Sequence, residues 1–427
     1  MARSVVLTGM VSLLAGLAAA SDLPDVPVSS RPEPIDHSDG IDLEIAAGAE
    51  PTDWRRRGEL LGDLLGLRST LAQHGMRLEI SSLDEGFARA DDGFDAGDHG
   101  RYHGLTDVVF TIDTGAAGWW RGGLFVVDLQ NSRGGDISEV VGDVQGISNI
   151  VAPAGTRFAE YYLEQTIAEA RFRFKIGKQD ANADFVVSEG GGEFVNSSFG
   201  LIPTVPLPTF PAPAFGAMGS WFPSDTLVVK AGYWDGAPTP DSGMSTAIFD
   251  GSRGTIGAVG VEISPFGRDR LAGTYRVGVW RHSDVELPCP PTKVGDEPLT
   301  SPAEGLYFTA DQGLWETPHR RLALFAQGGW GETDRSAVSR YVGGGLTLAG
   351  PFRGRPDDLL GLGVAHADLG RGQRTGPDCP GETVVELFYK APVLGWMTLI
   401  PDLQWVRRPA GGESTVFVAG LRVATSF

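Results

Sequence analysis

The chain ends in TVFVAGLRVATSF (residues 415–427), a stretch whose polarity alternates from one residue to the next. One face carries Phe417 and Phe427, and the other carries Val418 and Arg422. Because successive side chains of a β-strand point to opposite faces, this pattern predicts a strand with one apolar face. Such a strand, closed by an aromatic residue, is typical of bacterial outer-membrane barrels. We therefore expect membrane lipid and the barrel-assembly machinery among the partners, the latter through the C-terminal strand.

Similar segments recur back to residue 76. Each is about ten residues long, alternates apolar with polar residues and is bounded by turn-forming residues, as transmembrane β-strands are. There are sixteen, an even number, and the sequence therefore predicts an all-β fold, a 16-stranded antiparallel transmembrane β-barrel. Leucines at helical spacing add a short N-terminal helix over residues 58–73. The predicted strands span residues 76–87, 105–114, 120–130, 157–167, 169–178, 215–223, 226–235, 255–264, 270–282, 304–313, 320–331, 336–349, 358–368, 382–391, 395–406 and 414–427.

The connections between these segments alternate in length. Every second connection is a short turn, and the others are mostly long, the longest being residues 179–214. Outer-membrane barrels have short periplasmic turns and longer outer loops, so this asymmetry supports the same fold. Two connections on the long-loop side, near residues 332–335 and 407–413, are short exceptions.

Composition excludes several classes of protein. Glycine accounts for 60 of the 427 residues without a Gly-X-Y period, which excludes collagen and indicates many strands and turns. The formal charge of −19 argues against nucleic acid as a partner, because phosphate binding requires dense Lys and Arg. The apolar fraction of 41% argues against general disorder.

The N-terminus carries the features of an export signal. Arg3 precedes a mostly apolar run that ends in three alanines before Ser21, which are the small residues that a signal peptidase requires. We therefore assign residues 1–20 to a signal peptide, 21–53 to an acidic, proline-containing tether and 54–427 to the β-barrel domain. The predicted location is the bacterial outer membrane, with the barrel integral to it.

The inward faces of the predicted strands carry both signs of charge together with Trp and Tyr. In residues 170–178, Arg171, Arg173 and Lys175 alternate with apolar residues such as Phe174. The apolar face of a barrel strand must meet lipid, so these cations must line the lumen. A lining of mixed sign suits small sugars, since hydroxyls pair with charged groups, whereas ion pores show one dominant sign. The predicted lumen residues are Arg77, Glu79, Glu160, Tyr162, Glu164, Arg171, Arg173, Lys175, Lys230, Trp234, Arg276, Trp280, Glu386, Lys390, Asp402, Gln404 and Arg422.

The longest connection has an unusual composition. Residues 179–214 contain a glycine triplet at 190–192 and five prolines near their end, which stiffen the chain and lack an N–H to pair. Two placements are open from sequence alone: the loop folds into the lumen and narrows it, or it forms a lid at the surface.

Four stretches resemble the bacterial carbohydrate-selective porins of the OprB-like family. The resemblance covers about residues 54–427 and leaves the acidic tether outside. It implies a sixteen-stranded outer-membrane pore that passes mono- and disaccharides by passive diffusion. The stretches are FKIGKQDANADFVVSEGGGEFVNSSFG (174–200), LALFAQGGWGE (322–332), ELFYKAPVLGWMTLIPDLQWVRRP (386–409) and VFVAGLRVATSF (416–427).

Two other functions fit parts of the sequence. The basic lumen residues would serve a general or anion-preferring porin. A secreted β-rich lectin or glycosidase would also be exported, although a glycosidase needs two carboxylates across a cleft and no motif here selects such a pair. No P-loop or dinucleotide motif is present, and His99 and His103 lie in a glycine-rich stretch that does not favour a metal site. We expect a channel and not an enzyme, with no cofactor and no metal.

The chain contains two cysteines, each followed by proline. Cys289 lies in ELPCPPTK and Cys379 in GPDCPGE, in connections that the strand count places on the same outer side of the barrel. Export places them in an oxidising setting, which favours a disulfide between them. The alternative is two free thiols, because the two loops are four strands apart along the wall.

Overall fold

The structure, a computed structural model, describes residues 53–90, 99–236, 255–264, 271, 273–286, 300–332, 336–370 and 381–427. The predicted signal peptide, almost all of the predicted tether and both Cys289 and Cys379 lie outside these residues. The export signal and the disulfide therefore stay predictions.

Sixteen strands form one closed antiparallel barrel. Each strand pairs with its neighbours in sequence, and β1 pairs with β16 to close the ring. Closure leaves no sheet edge whose backbone N–H and C=O groups would lack hydrogen-bond partners in lipid. The predicted fold class is confirmed. The strands are β1 (Met76–Arg89), β2 (Gly100–Asp113), β3 (Gly123–Gly134), β4 (Gly155–Ile167), β5 (Phe172–Gln179), β6 (Ala214–Ser224), β7 (Leu227–Asp235), β8 (Thr255–Ile263), β9 (Gly273–Glu286), β10 (Thr300–Thr317), β11 (Arg320–Gly331), β12 (Val338–Ala349), β13 (Leu359–Leu369), β14 (Glu382–Leu394), β15 (Met397–Arg407) and β16 (Thr415–Ser426).

Some strands extend further on the long-loop side than the sequence predicts. β2 begins at Gly100 instead of residue 105, and it continues the ladder with β1 up to the pair Ala88–Gly100. His103 therefore lies in a strand and not in a glycine-rich loop, opposite Glu85. Pairing with a neighbouring strand here outweighs the turn preference of the local glycines.

The helix before the barrel is shorter than predicted. The α-helix α1 spans only Leu67–Ala72 and follows a 3₁₀ turn at Leu64–Gly66. Leu64 and Leu65 have φ angles of 47° and 60°, which a right-handed helix cannot contain. The leucine spacing thus marks a bent segment instead of one continuous helix. No helix in the described part of the chain is long and apolar enough to span a membrane.

The two faces of the wall differ as the alternation predicts. Phe174, Leu403 and Phe417 are exposed on the outside of the barrel, and their strand neighbours Arg173 and Gln404 are buried inside. An apolar outer band is what lipid contact requires.

Two long connections fold into the barrel. Insert A is residues 135–154, between β3 and β4, and insert B is residues 180–213, between β5 and β6. Ile147 of insert A and Phe194 of insert B are fully buried in one core with wall residues such as Phe388. Of the two placements that the sequence leaves open for the longest loop, the structure shows the one inside the lumen. The inserts contain the short helices α2 (Ser138–Val141), α3 (Ala181–Phe185) and α4 (Ser197–Gly200).

Glycines in the wall make room for the aromatic side chains of insert B. A Cβ atom at Gly363 would lie 2.6 Å from the ring of Phe194 and 2.9 Å from that of Phe199. The rings of Phe194 and Phe388 meet edge to face with centroids 4.8 Å apart. The packing of insert B against the wall therefore requires glycine at such wall positions, because a side chain there would occupy the space of the aromatic rings.

Candidate functional site: the lumen constriction

The first contact between wall and insert B is an ion-pair cluster on β5. The Lys175 ammonium lies 2.9 Å from one carboxylate oxygen of Asp184, and the Arg173 guanidinium lies 3.2 Å from the other. Arg173 also faces Glu164 at 3.8 Å, and Lys175 lies 4.3 Å from the centre of the Tyr162 ring. All five side chains are buried, so the cluster fixes α3 against the wall.

Asp184 remains ionised in this cluster. Burial acts to raise the pKa of its carboxyl group, but the charges of Lys175 and Arg173 outweigh burial and hold that pKa below its usual value. The cluster therefore keeps a carboxylate between two cations.

A second cluster continues along the wall from β7 to β10. Lys230 and Arg276 both bind the Glu262 carboxylate, at 2.8 Å and 2.9 Å. Lys230 also donates to the backbone oxygen of Asp184 at 2.8 Å, and Arg276 lies 3.6 Å from Asp311. The four basic residues on β5, β7 and β9 thus form a row in which each cation has an acidic partner within 4 Å.

Asp311 holds the middle of insert B. Its carboxylate accepts hydrogen bonds from the Ser188 hydroxyl at 3.0 Å and from the backbone N–H groups of Glu189 and Gly190 at 3.2 and 2.9 Å. The glycine triplet noted in the sequence begins at this contact, where the backbone approaches the wall closely.

The far side of insert B is held by a carboxylate of the opposite wall. Glu386 on β14 accepts hydrogen bonds from the backbone N–H groups of Val195 and Asn196 at 2.7 and 2.9 Å. The Asn196 side chain then donates to Gln404 on β15 at 3.0 Å, and Gln404 donates to Asp402 at the same distance. Insert B therefore crosses the lumen from β5 to β14.

Insert A is fastened to the same wall. Glu382 accepts hydrogen bonds from the backbone N–H groups of Val144 and Gln145 at 3.0 and 3.1 Å. Arg422 pairs with Glu85 at 2.8 Å and donates to the hydroxyl of Ser148 in insert A at 3.1 Å. The charged residues of β14, β16 and β1 thus position insert A against insert B.

The remaining predicted lumen residues occupy different surroundings. Arg171 precedes β5 in the short turn and is exposed, so it is not part of the buried row. Arg77 and Glu79 form an exposed ion pair of 3.0 Å near the start of β1. Lys390 pairs with Glu193 of insert B.

The predicted aromatic residues of the lumen lie beneath the inserts. Trp234 is fully buried against Phe185 of α3, with ring centroids 5.5 Å apart, and Trp280 is also buried. Tyr162 is covered by Lys175. These rings support insert B instead of presenting an open stacking surface.

Several residues that build the site were not among those predicted. Glu262 and Asp311 are inward-facing acids of β8 and β10, which phasing of those strands would have found. Asp184 and Asn196 lie in insert B, where no periodicity indicates direction. Among the residues that the structure describes, no group of three or more His, Cys, Asp or Glu side chains is arranged to hold a metal ion.

This geometry agrees with comparison to known proteins. The model of the carbohydrate-selective porin family OprB matches residues 98–427. The chain belongs to this family. It is therefore a porin of the bacterial outer membrane for small carbohydrates, and family membership implies a channel instead of an enzyme.

Individual relatives of this porin are distant in sequence. It is 24% identical to Porin B of Pseudomonas aeruginosa over 419 residues, which cover 86% of this chain and 91% of that protein. The high-pH structure of Pseudomonas putida OprB superposes with a TM-score of 0.76 at 20% identity, over 87% of this chain and 99% of that one. The low-pH structure of the same protein superposes with a TM-score of 0.58 at 18% identity over the same shares. At these identities the structures establish the shared barrel fold.

Proposed function

We propose that this porin passes mono- and disaccharides by passive diffusion, through a lumen whose width and polarity are set by inserts A and B. The observation that carries the proposal is the attachment of insert B to both sides of the wall, through Asp184, Asp311 and Glu386. An insert fixed at three places leaves less lumen than an empty sixteen-stranded barrel, so we expect a size limit near two sugar rings.

The balance of charges in the constriction favours the passage of neutral solutes. Each cation of the buried row is within 4 Å of a carboxylate, so the field of neither sign dominates. Fixed donors and acceptors of both kinds can exchange hydrogen bonds with sugar hydroxyls as water does. No residue is proposed to carry out catalysis.

The outer face and last strand bear on the remaining partners. We infer that lipid covers the exposed apolar band that includes Leu403 and Phe417, because charged and polar groups there would be costly in hydrocarbon. We also infer that the barrel-assembly machinery recognises β16 and Phe427 before β16 pairs with β1.

Swelling of liposomes that contain the purified porin tests the proposal. We expect glucose and maltose to enter faster than the trisaccharide raffinose, with empty liposomes as the baseline. Swelling no faster than this baseline for every sugar would contradict it.

One observation favours a general, anion-preferring porin as a second candidate. Arg173, Lys175, Lys230 and Arg276 lie on β5, β7 and β9, every second strand of this part of the wall, and form a basic row. The reversal potential across a bilayer in a KCl gradient separates the two functions. Strong anion selectivity without block of the current by glucose would favour the general porin.

A further inference from the structure

A cavity of about 230 Å³ lies between the wall and the two inserts, apart from the clusters described above. One side is the wall formed by β2, β3 and β4, with Asp107, Asp128 and Glu160. The other side is insert B, which contributes Phe210 and Pro211. This volume lies just below the range of about 300–1,000 Å³ that is usual for ligand pockets, so the cavity suits a solute no larger than one sugar ring.

Two carboxylates in this cavity lack full hydrogen bonding. Asp107 is 4% exposed and Asp128 is 7% exposed, and each has one carboxylate oxygen with no hydrogen-bond partner. The other oxygen of Asp128 accepts a hydrogen bond from Gln130 at 3.1 Å. Strand register places Asp107 opposite Gln130 and Asp128 opposite Glu160, so the carboxylates lie on adjacent strands.

The neighbouring carboxylates are occupied by structural contacts. Asp180 caps α3 through the Ala183 N–H at 3.0 Å and accepts from the Phe210 N–H at 3.1 Å. Glu160 accepts from the Asp180 N–H at 3.0 Å. Asp107 and Asp128 line the cavity, and none of the described residues that line it is basic. A buried carboxylate without a positive partner is costly, and a ligand that brings a positive charge would supply that partner.

Insert B contributes apolar residues to the cavity as well as polar ones such as Asn182 and Thr209. Phe210, Pro211 and Pro213 line it together with Leu201 and Val187. Aromatic and apolar side chains can pack against the C–H face of a sugar ring. The cavity therefore combines carboxyl groups of the wall with an apolar ring surface on insert B.

We propose that this cavity binds a protonated amino sugar, a hexosamine, with its ammonium group at Asp107 and Asp128 and its ring against Phe210. The inference rests on the proposed sugar permeation and adds a preferred substrate class to it. Charge-assisted hydrogen bonds are about twice as strong as neutral ones, so a protonated amine has an advantage there over a hydroxyl.

The first test compares three sugars on the unmodified porin. Block of the ion current in a planar bilayer is titrated with glucosamine, glucose and N-acetylglucosamine at pH 6.5. We expect the half-blocking concentration of glucosamine to be about tenfold lower than those of the other two. Equal concentrations for all three would overturn the amino-sugar site while leaving the proposed sugar permeation standing. If no sugar blocks the current or enters liposomes, the proposed function itself fails.

The second test removes the two carboxyl groups. In Asp107→Asn/Asp128→Asn we expect the ratio of glucosamine to glucose affinity to fall about tenfold, towards one. Glu169→Gln, which changes an exposed carboxylate in the β4–β5 turn, is the matched control and should keep the ratio. An unchanged ratio in the double variant would overturn the site.

If the double variant does not assemble, the single variant Asp107→Asn and the three-sugar comparison test the site instead. Competition by Ca²⁺ or methylammonium as strong as that by glucosamine would show a general cation site and overturn the sugar assignment.

Discussion

Lys175 of the wall and Asp184 of insert B form an ion pair of 2.9 Å between side chains that are 3% and 0% exposed. Removing one partner of such a pair leaves an uncompensated buried charge, which costs about 3–5 kcal/mol. The pair therefore couples the electrostatics of the lumen to the position of the constriction. A change to its charge should alter ion preference and pore size together.

The basic row should set ion preference. In Arg173→Ala, Glu164 and Asp184 lose a positive neighbour, so we expect the reversal potential in a KCl gradient to shift towards cations. Arg171→Ala is the matched control, because Arg171 lies two residues earlier in the exposed turn and outside the buried row. We expect it to behave as the wild type. Equal shifts in both variants would contradict a specific role for the buried row.

A charge on the outer face should destabilise the barrel according to its depth. Leu403 lies near the middle of β15 and is exposed on the lipid side, so we expect Leu403→Arg to cost about 2–4 kcal/mol. Phe174 is the third residue of β5, near the short turn, and we expect Phe174→Arg to cost less. Urea unfolding in lipid vesicles measures both, with Leu403→Met as the control for side-chain size. If Leu403→Arg assembles with the same free energy of unfolding as the wild type, the faces of β15 are assigned wrongly.

The wall could be predicted from sequence because lipid imposes a strict rule on it. Every strand must present apolar residues outward at every second position, so the alternation around Arg173 and Phe174 indicates both the strand and its faces. The same rule places Val418 and Arg422 of β16 inside, as observed. The number of strands follows from repeating this one signal along the chain.

The constriction could be predicted only in part, because the inserts follow no such rule. Asp184 is held by contacts with distant strands, and no local spacing indicates its direction. The alternation along β7 predicts that Trp234 faces inward, but only the folded structure shows that insert B covers its ring. The prediction for Arg171 is wrong for another reason: the alternation predicts a strand from residue 169, but β5 begins at Phe172, and Arg171 lies in the turn before it.

Weakening the far anchor of insert B should widen the pore. Glu386→Gln keeps the size of the side chain but replaces one acceptor for the N–H groups of Val195 and Asn196 with a donor. We expect a higher single-channel conductance and faster entry of raffinose into liposomes. Glu304→Gln, a change to an exposed carboxylate on β10, is the control and should leave both unchanged. An unaltered conductance in Glu386→Gln would show that this anchor does not limit the pore.

Insert A should respond to pH near neutrality. Burial and the nearby Glu382 carboxylate raise the pKa of Asp143 to about 7. Because the pKa of a free Asp is about 3.9, the folded state binds the proton more tightly. The favourable free energy of docking is therefore complete below about pH 4 and is lost as the pH rises through 7. We expect fluctuations of the channel current to increase between about pH 4 and 7 in the wild type, to change little above pH 7, and to be independent of pH in Asp143→Asn. The same pH dependence in both proteins would assign it to another group.

The segment before the barrel should stabilise the seam between the first and last strands. Arg68 of α1 donates a hydrogen bond to the backbone oxygen of Leu78 on β1 at 3.2 Å and another to that of Phe427, and it pairs with Glu59. In Arg68→Ala the segment loses the side-chain hydrogen bonds that join it to Leu78 and Phe427, although the backbone hydrogen bond from Leu60 to Ser426 remains, so we expect the free energy of unfolding to fall by about 1–3 kcal/mol. Arg68→Lys should recover only part of this, because one ammonium group cannot reach all the partners of a guanidinium. Urea unfolding in vesicles measures the effect, with Arg56→Ala as a control at an exposed position of the same segment. If Arg68→Ala and Arg56→Ala unfold at the same urea concentration as the wild type, the segment does not support the closure of the barrel.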